Sequence, residues 1–316
     1  MSKASTPVSM LALLHQVDRE ELRPDGDAVR EAHKRANKLI EEIQLGPSWM
    51  FDIVEVIEHG SMSRGTGLRS FRDLDKLVIL NPEALRTQAG SERTPKDTIH
   101  RLADTVRKRR AGLVSLGTLE VRAQAHSVGV SYPASSIRID LVPAVRTRTG
   151  QIVIPEPGTE SWIQTNPGET RRRLEDAKRL APHAGVAIRL LKGWSRARGG
   201  VLPSFGIETA IVNQILAFGP TSLVDLVRGF IEGVAASDMR RPLLLGASRI
   251  PFTPVTLVDP VSGANLTNRM GFDHKKKLID RCRWTRDHLS RLDDIGESGK
   301  REVALTLARK LFVGDH

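Results

Sequence analysis

Two aspartates one residue apart open an apolar run, RDLDKLVIL (residues 72–80), and no other feature constrains the fold so tightly. Side chains of an extended chain alternate sides, so Asp73 and Asp75 share one face while Leu74, Val78 and Leu80 share the other. The run reads as a strand with one buried and one acidic side. Two carboxylates this close repel. A half-buried pair persists when protons or cations neutralise it, and a divalent metal bound through oxygen is the commonest functional answer.

A third acid strengthens that reading. In IRIDLVPAV (137–145), Ile137, Ile139 and Leu141 fall on one face and Asp140 on the other, beside Arg138 and Val142. If these strands neighbour each other, the three carboxylates Asp73, Asp75 and Asp140 suit two Mg²⁺ ions roughly 3.5–4 Å apart, one acidifying an attacking hydroxyl and one stabilising a leaving pyrophosphate oxygen. The stretch ahead of the pair, HGSMSRGTG (59–67), supplies what a triphosphate needs. Gly60 and Ser61 leave backbone N–H groups accessible and remove side chains that would block phosphate, and the Ser61 hydroxyl adds a donor. Gly65 and Thr66 shape the same loop, with Arg64 nearby. A Walker-type GxxxxGK run is absent, so this is a phosphate-binding turn of another kind.

Composition narrows the class further. A chain of 316 residues buries a large core as one elaborate domain or two closely joined ones. The single cysteine, Cys282, excludes an internal disulfide and a Cys-rich zinc cluster, and reads as a buried thiol in a reducing compartment. No apolar run reaches membrane-spanning length, and the N-terminal apolar patch is followed at once by acids. A cytoplasmic protein without a membrane partner is expected. The formal charge of +11, from 48 Lys and Arg against 37 Asp and Glu, favours anionic partners. The runs RKRR (107–110), RRR (171–173) and KKK (275–277) add little, since solvated helix faces carry such runs routinely. Aromatics at 4% are too few for an extensive base-stacking platform.

Periodicity sets the organisation. Val29, Ala32, Ala36, Leu39, Ile40 and Ile43 carry helical spacing over residues 28–44, with Asp27 as the cap. FDIVEVIEHGS and RDLDKLVIL read as strands, residues 97–114 as a basic helix, and TLEVRAQAHSVGVSY and SSIRIDLVPAV as two further strands of a mixed sheet. The stretch IPEPGTESWIQTNPGE (154–169) reads as a loop, and helical spacing dominates beyond it. The expectation is an α/β (α+β) lobe over residues 1–155 with a long N-terminal helix, a helical lobe over 156–316, and a ligand cleft between them.

The order GS, RGT, DLD before an apolar strand, and later RIDLVPA, resembles the nucleotidyltransferase superfamily typified by DNA polymerase beta. Within it the likeness is to oligoadenylate synthases and the bacterial cyclic-oligonucleotide synthases called CD-NTases, which serve anti-phage signalling. LLKGWSRARGGVLPSFGIETAI (190–211) and TLVDPVSGANLTNRM (256–270) are similar to later stretches of that family, so the resemblance spans most of residues 59–270.

The resemblance implies that Asp73, Asp75 and Asp140 hold two Mg²⁺ ions, with Mn²⁺ as a substitute, and that Gly60 and Ser61 seat the donor triphosphate. It also implies that Lys192 and Ser204 reach the phosphates. Each has a blander reading: Lys192 beside Trp194 on a solvated helix face, Ser204 as the cap of a helix starting near Phe205. Asn166 and Trp162 read as a base-edge reader and a stacking indole, or as residues that order the loop. Asp259 and Asn265 read as turn formers. His59, His126 and His183 receive no role, and residues 81–117 have no anchor in the family pattern.

The activity implied is attack of a ribose hydroxyl on the α-phosphorus of a nucleoside triphosphate, repeated to a cyclic di- or oligonucleotide, with a downstream effector and protein regulators as partners. Two rivals share much of the pattern: an RNA 3′-end or macromolecule-modifying nucleotidyltransferase, and an inactive nucleic-acid sensor acting through its basic surface, against which the three acids argue.

Overall fold

The computed structural model describes residues 7–45, 53–69, 73–85, 93–109, 117–135, 137–156, 160–236, 257–263, 265–267 and 270–314. Packing divides the chain into a sheet unit, Pro24–Gly168, and a helical unit made of Met1–Arg23 with Glu169–His316. The boundary lies beyond the residue 155 expected, and the first 23 residues belong with the helices.

The sheet unit holds strands β1 (Ile53–His59), β2 (Asp73–Leu80), β3 (Glu120–Ala123), β4 (Val128–Tyr132), β5 (Ile137–Arg146), β6 (Ile152–Pro155) and β7 (Trp162–Thr165) in one mixed sheet. The central order is β1-β2-β5-β4-β3, with β6 pairing β5 and β7 pairing β6. Only β2 and β5 run parallel among these pairs. Helices α2 (Gly26–Gln44) and α4 (Pro95–Lys108) cover one face.

The α2 stripe Ala32, Ala36, Leu39, Ile40 and Ile43 is buried as its spacing predicts. It packs in one core with Leu74, Val78 and Leu80 of β2 and Ile139 and Leu141 of β5. The cap is Asp25 rather than Asp27: its Oδ1 accepts from Asp27 N at 2.7 Å and Ala28 N at 3.3 Å, because the helix begins at Gly26, three residues before Val29 opens the apolar stripe. Thr94 caps α4 through Asp97 N, and Pro95 opens it. The expected helix over 97–114 thus starts earlier, and positions 110–114 lie outside the described residues.

The loop expected over 154–169 is instead mostly a hairpin. β6 and β7 pair from Ile152↔Thr165 to Pro155↔Trp162, because β-branched Ile and Val offset the turn-forming prolines; residues 157–159 lie outside the described residues. TLEVRAQAHSVGVSY likewise contains two strands, β3 and β4.

In the helical unit, α1 (Met10–Val17), capped by Ser9, runs into a π-helical turn, Asp18–Leu22. Helices α5 (Pro167–Leu180), α6 (Ala184–Ala197), α7 (Ser204–Phe218), α8 (Leu223–Ala235), α9 (Phe272–Glu297) and α10 (Arg301–Phe312) follow, the first two residues of α5 lying on the sheet-unit side of the division. Trp194 is fully buried, packs edge-on against Phe230 at 6.2 Å and donates Nε1–H to Thr285 Oγ1 at 2.8 Å. Cys282 is buried as expected, and burial pushes its thiol well above the usual range.

Among the described residues no single helix is long and apolar enough to cross a membrane. The pair α7 and α8 is long and apolar only when taken together, is bent by 111°, and has Ile211, Ile215, Leu226 and Phe230 buried inside the unit.

Candidate active site

The parallel pairing of β2 with β5 sets Asp75 opposite Asp140 and Asp73 opposite Arg138. The row continues in both directions: Asp75 pairs with His59 of β1, Asp140 with Gly129 of β4, and Gly129 with Arg122 of β3. His59, Asp75, Asp140, Gly129 and Arg122 therefore lie side by side on the sheet face opposite α2. Leu77, Ile79, Val142, Ala144 and Ile152 form an apolar patch further along that face.

Electrostatics ties the acids together. Burial pushes the Asp75 carboxyl up, and the charges of Asp140 and Asp73 push it further, against Arg64 and Arg138, to about 6. Burial also raises Asp73, opposed by Arg138 and assisted by Asp140. Asp140 Oδ1 accepts from Arg138 Nε and from Gln124 Nε2, each at 3.2 Å, and its Oδ2 has a long 3.5 Å contact with Arg138 Nη2. Among the described residues no three acidic, His or Cys side chains are gathered closely enough to chelate an ion as they stand. The donor set nevertheless fits a hard divalent cation: oxygen ligands from adjacent register positions, each raising the other's affinity for positive charge.

The turn ahead of β2 is built against the same carboxylate. Gly60 opens a four-residue helical turn, α3 (Gly60–Ser63), at φ 75°, and a Cβ there would collide with Asp75 Oδ2 and lie 2.6 Å from its Cγ. Ser63 Oγ donates to Gly60 O at 3.0 Å, and Thr66 N donates to Ser61 O at 2.9 Å, so the RGT segment folds back onto the GS turn as its composition suggests. Arg64 is nearly buried here.

The remaining expected residues lie within their own units. Lys192 is 4% exposed on α6, and its ammonium bonds Glu208 Oε2 of α7 at 3.1 Å. This corrects the solvated-face reading and gives the charge a buried carboxylate partner within the helical unit. Ser204 is exposed as the first residue of α7, whose cap position is Pro203, so it is not the cap. Asn166 is exposed between β7 and α5, and Trp162 is a half-buried strand residue rather than a loop one. Asp259 accepts from Val261 N, Ser262 N and Ser262 Oγ, and Asn265 Oδ1 accepts from Thr267 N and Thr267 Oγ1, as turn formers do. His183 packs edge-on against His15 at 5.1 Å.

Sequence reasoning missed Gln124 and Gly129. The available signal was a lone glycine inside an apolar strand, which marks close approach of another group.

A family model for the Second Messenger Oligonucleotide or Dinucleotide Synthetase domain matches residues 19–177. The chain belongs to this family. It is a CD-NTase, a nucleotidyltransferase that makes cyclic oligonucleotides, and the matched span contains Gly60, Ser61, Asp73, Asp75 and Asp140. The cyclic AMP-AMP-AMP synthase of Escherichia coli (strain MS 115-1) is 28% identical over 265 residues, covering 77% of this chain and 78% of that one.

Solved structures of the family share the fold. E. coli MS115-1 CdnC with ATP matches at TM-score 0.73 and 19% identity over 96% of this chain and 98% of its own. The same protein in a HORMA-deltaN complex matches at 0.71 and 19%, over 96% and 97%. Bradyrhizobium diazoefficiens CdnG with GTP matches at 0.64 and 15%, over 96% and 98%. The α/β nucleotidyltransferase fold with a mixed sheet and added helices is thus the one anticipated from the sequence.

Proposed function

We propose that this chain joins nucleoside triphosphates into a cyclic di- or oligonucleotide second messenger in the bacterial cytoplasm, as part of anti-phage signalling. The observation that carries the reading is the register of Asp75 with Asp140, with Gly60 packed on the Asp75 carboxylate. In each step a ribose hydroxyl oxygen bonds to the α-phosphorus, the bond from that phosphorus to the bridging oxygen breaks, and pyrophosphate leaves while the hydroxyl proton passes to solvent. The last step uses the chain's own terminal hydroxyl and closes the ring.

Asp73, Asp75 and Asp140 are the groups that would hold Mg²⁺, or Mn²⁺ in its place, which supplies charge neutralisation at the phosphates. Gly60 and Ser61 leave room for the triphosphate at the turn. Arg64 and Arg138 offset part of the carboxylate charge, as their effects on Asp75 indicate. Ser204 and Asn166 are proposed as nucleotide contacts; Ser204→Ala and Asn166→Ala should raise KM for ATP or GTP severalfold without lowering the melting temperature. Lys192 is assigned to Glu208 rather than to phosphate. The ATP and GTP complexes of relatives support triphosphate substrates, and the CdnC:HORMA-deltaN complex supports a protein regulator. An effector that reads the product completes the proposed pathway.

The deciding experiment incubates the protein with Mg²⁺ or Mn²⁺ and the four ribonucleotides, each α-labelled in turn, followed by phosphatase. A phosphatase-resistant small product that disappears with Asp73→Asn/Asp75→Asn is expected, and the labels name its bases. A product that forms only on added RNA would sink the proposal.

A further inference from the structure

We propose that Gln124 is a positioning residue for Asp140, oriented by Ser127 and admitted by the missing side chain at Gly129. The inference rests on reading Asp140 as a ligand for the divalent cation. Gln124 stands where β3 ends, and its N–H donates to Ser127 O at 2.8 Å, closing the turn into β4. Its side chain folds back over the sheet. Nε2 donates to Asp140 Oδ1 at 3.2 Å, and Oε1 accepts from the Ser127 hydroxyl at 3.1 Å.

An amide can turn end for end at almost no steric expense, so its direction is set by its partners. The reversed amide would set Oε1 against a carboxylate oxygen, two acceptors facing each other. It would also leave the hydroxyl of fully buried Ser127 without its acceptor. Ser127, Gln124 and Asp140 therefore form a directional chain of donors ending on one oxygen.

The space for this chain comes from Gly129, the register partner of Asp140. A Cβ there would run into Gln124 Nε2, 3.2 Å from Gln124 Cδ and 3.3 Å from Asp140 Oδ1. Gly129 does not have the positive φ that favours glycine, so room for the amide, not backbone conformation, explains the residue. Oδ1 is thus held by Gln124 and Arg138, while among the described residues Oδ2 has the long Arg138 contact alone. Gln124 pins one oxygen so that the other is presented in a fixed direction. Outer partners of metal-bound carboxylates act in this way on affinity.

The test measures Mn²⁺ binding calorimetrically on the full chain with a non-hydrolysable ATP analogue, alongside the Mn²⁺ concentration that half-saturates turnover. Gln124→Met, similar in length but without a donor, is expected to weaken Mn²⁺ binding about 10-fold and shift half-saturation equally, with kcat recovered at saturating metal. Ser127→Ala should shift both the same way by less, and provides the readout if Gln124→Met folds poorly. Wild-type Mn²⁺ binding in both variants, while Asp140→Asn loses it, would overturn the positioning role alone. Wild-type binding in Asp140→Asn would instead overturn the ligand reading, and the inference with it.

Discussion

Asp75 is one carboxyl on which burial and two like charges act together, holding its proton to about pH 6 against an ordinary value of 3.8. Because folding raises this pKa, the protonated group favours the folded state below about pH 4. That contribution fades as pH rises through the window from 4 to 6, leaving a buried charge above it. In EDTA-treated protein, Asp75→Asn should therefore be more stable than wild type at pH 7.5, by about 1–2 kcal/mol after allowing for water and the nearby guanidiniums. Thermal unfolding from pH 4 to 8 should show the two proteins converging at the acid end; a constant offset would contradict this origin. Gly60→Ala meets both the positive φ and the Asp75 carboxylate. It should cost at least about 1 kcal/mol of stability and lower turnover by about 100-fold, measured by melting temperature and initial rate. The acids were legible as residues because strand alternation needs only neighbours along the chain. Gln124 was not, because its importance lies in a side chain 16 residues away in sequence.

At the level of elements, the long periodic helices and the two acid-bearing strands were readable, whereas the short β6 and β7 were hidden by prolines and β3 and β4 merged into one apparent strand. Short strands carry too few alternations to announce themselves, and the ladder that stabilises them is made with partners elsewhere. The α6–α7 pairing shows the same limit for charge. Lys192 and Glu208 have side chains 3% and 2% exposed, so removing one partner takes the countercharge from a buried ion. Lys192→Met should destabilise the protein by about 3–5 kcal/mol, and Lys192→Met/Glu208→Leu should recover most of that loss. Urea unfolding of the two variants checks it; a single variant of wild-type stability with impaired KM for triphosphate would restore the phosphate role.

For the whole molecule, the decisive surprise is the allegiance of the N-terminus. Leu13, Leu14 and Val17 of α1 are fully buried, and Asp18, 4% exposed, receives a two-pronged ion pair from Arg189 Nε and Nη2, each at 2.7 Å and 171 residues away. Removing residues 1–23 should therefore strip the helical unit of core, shown by faster hydrogen exchange in α6 and α10, while residues 24–168 keep their sheet. Exchange unchanged in those helices would refute the placement. By itself the sequence determined the shared face of Asp73 and Asp75, the opposite setting of Asp140 from its apolar neighbours, the glycine turn and the helices' buried stripes. All of these follow from backbone periodicity and local steric freedom. Only the tertiary structure decided that β2 and β5 run parallel in register, that Gln124 reaches Asp140 across Gly129, that Lys192 meets Glu208, and that residues 1–23 complete the helical unit. Those outcomes depend on contacts between distant segments, and such contacts leave no repeating pattern along the chain.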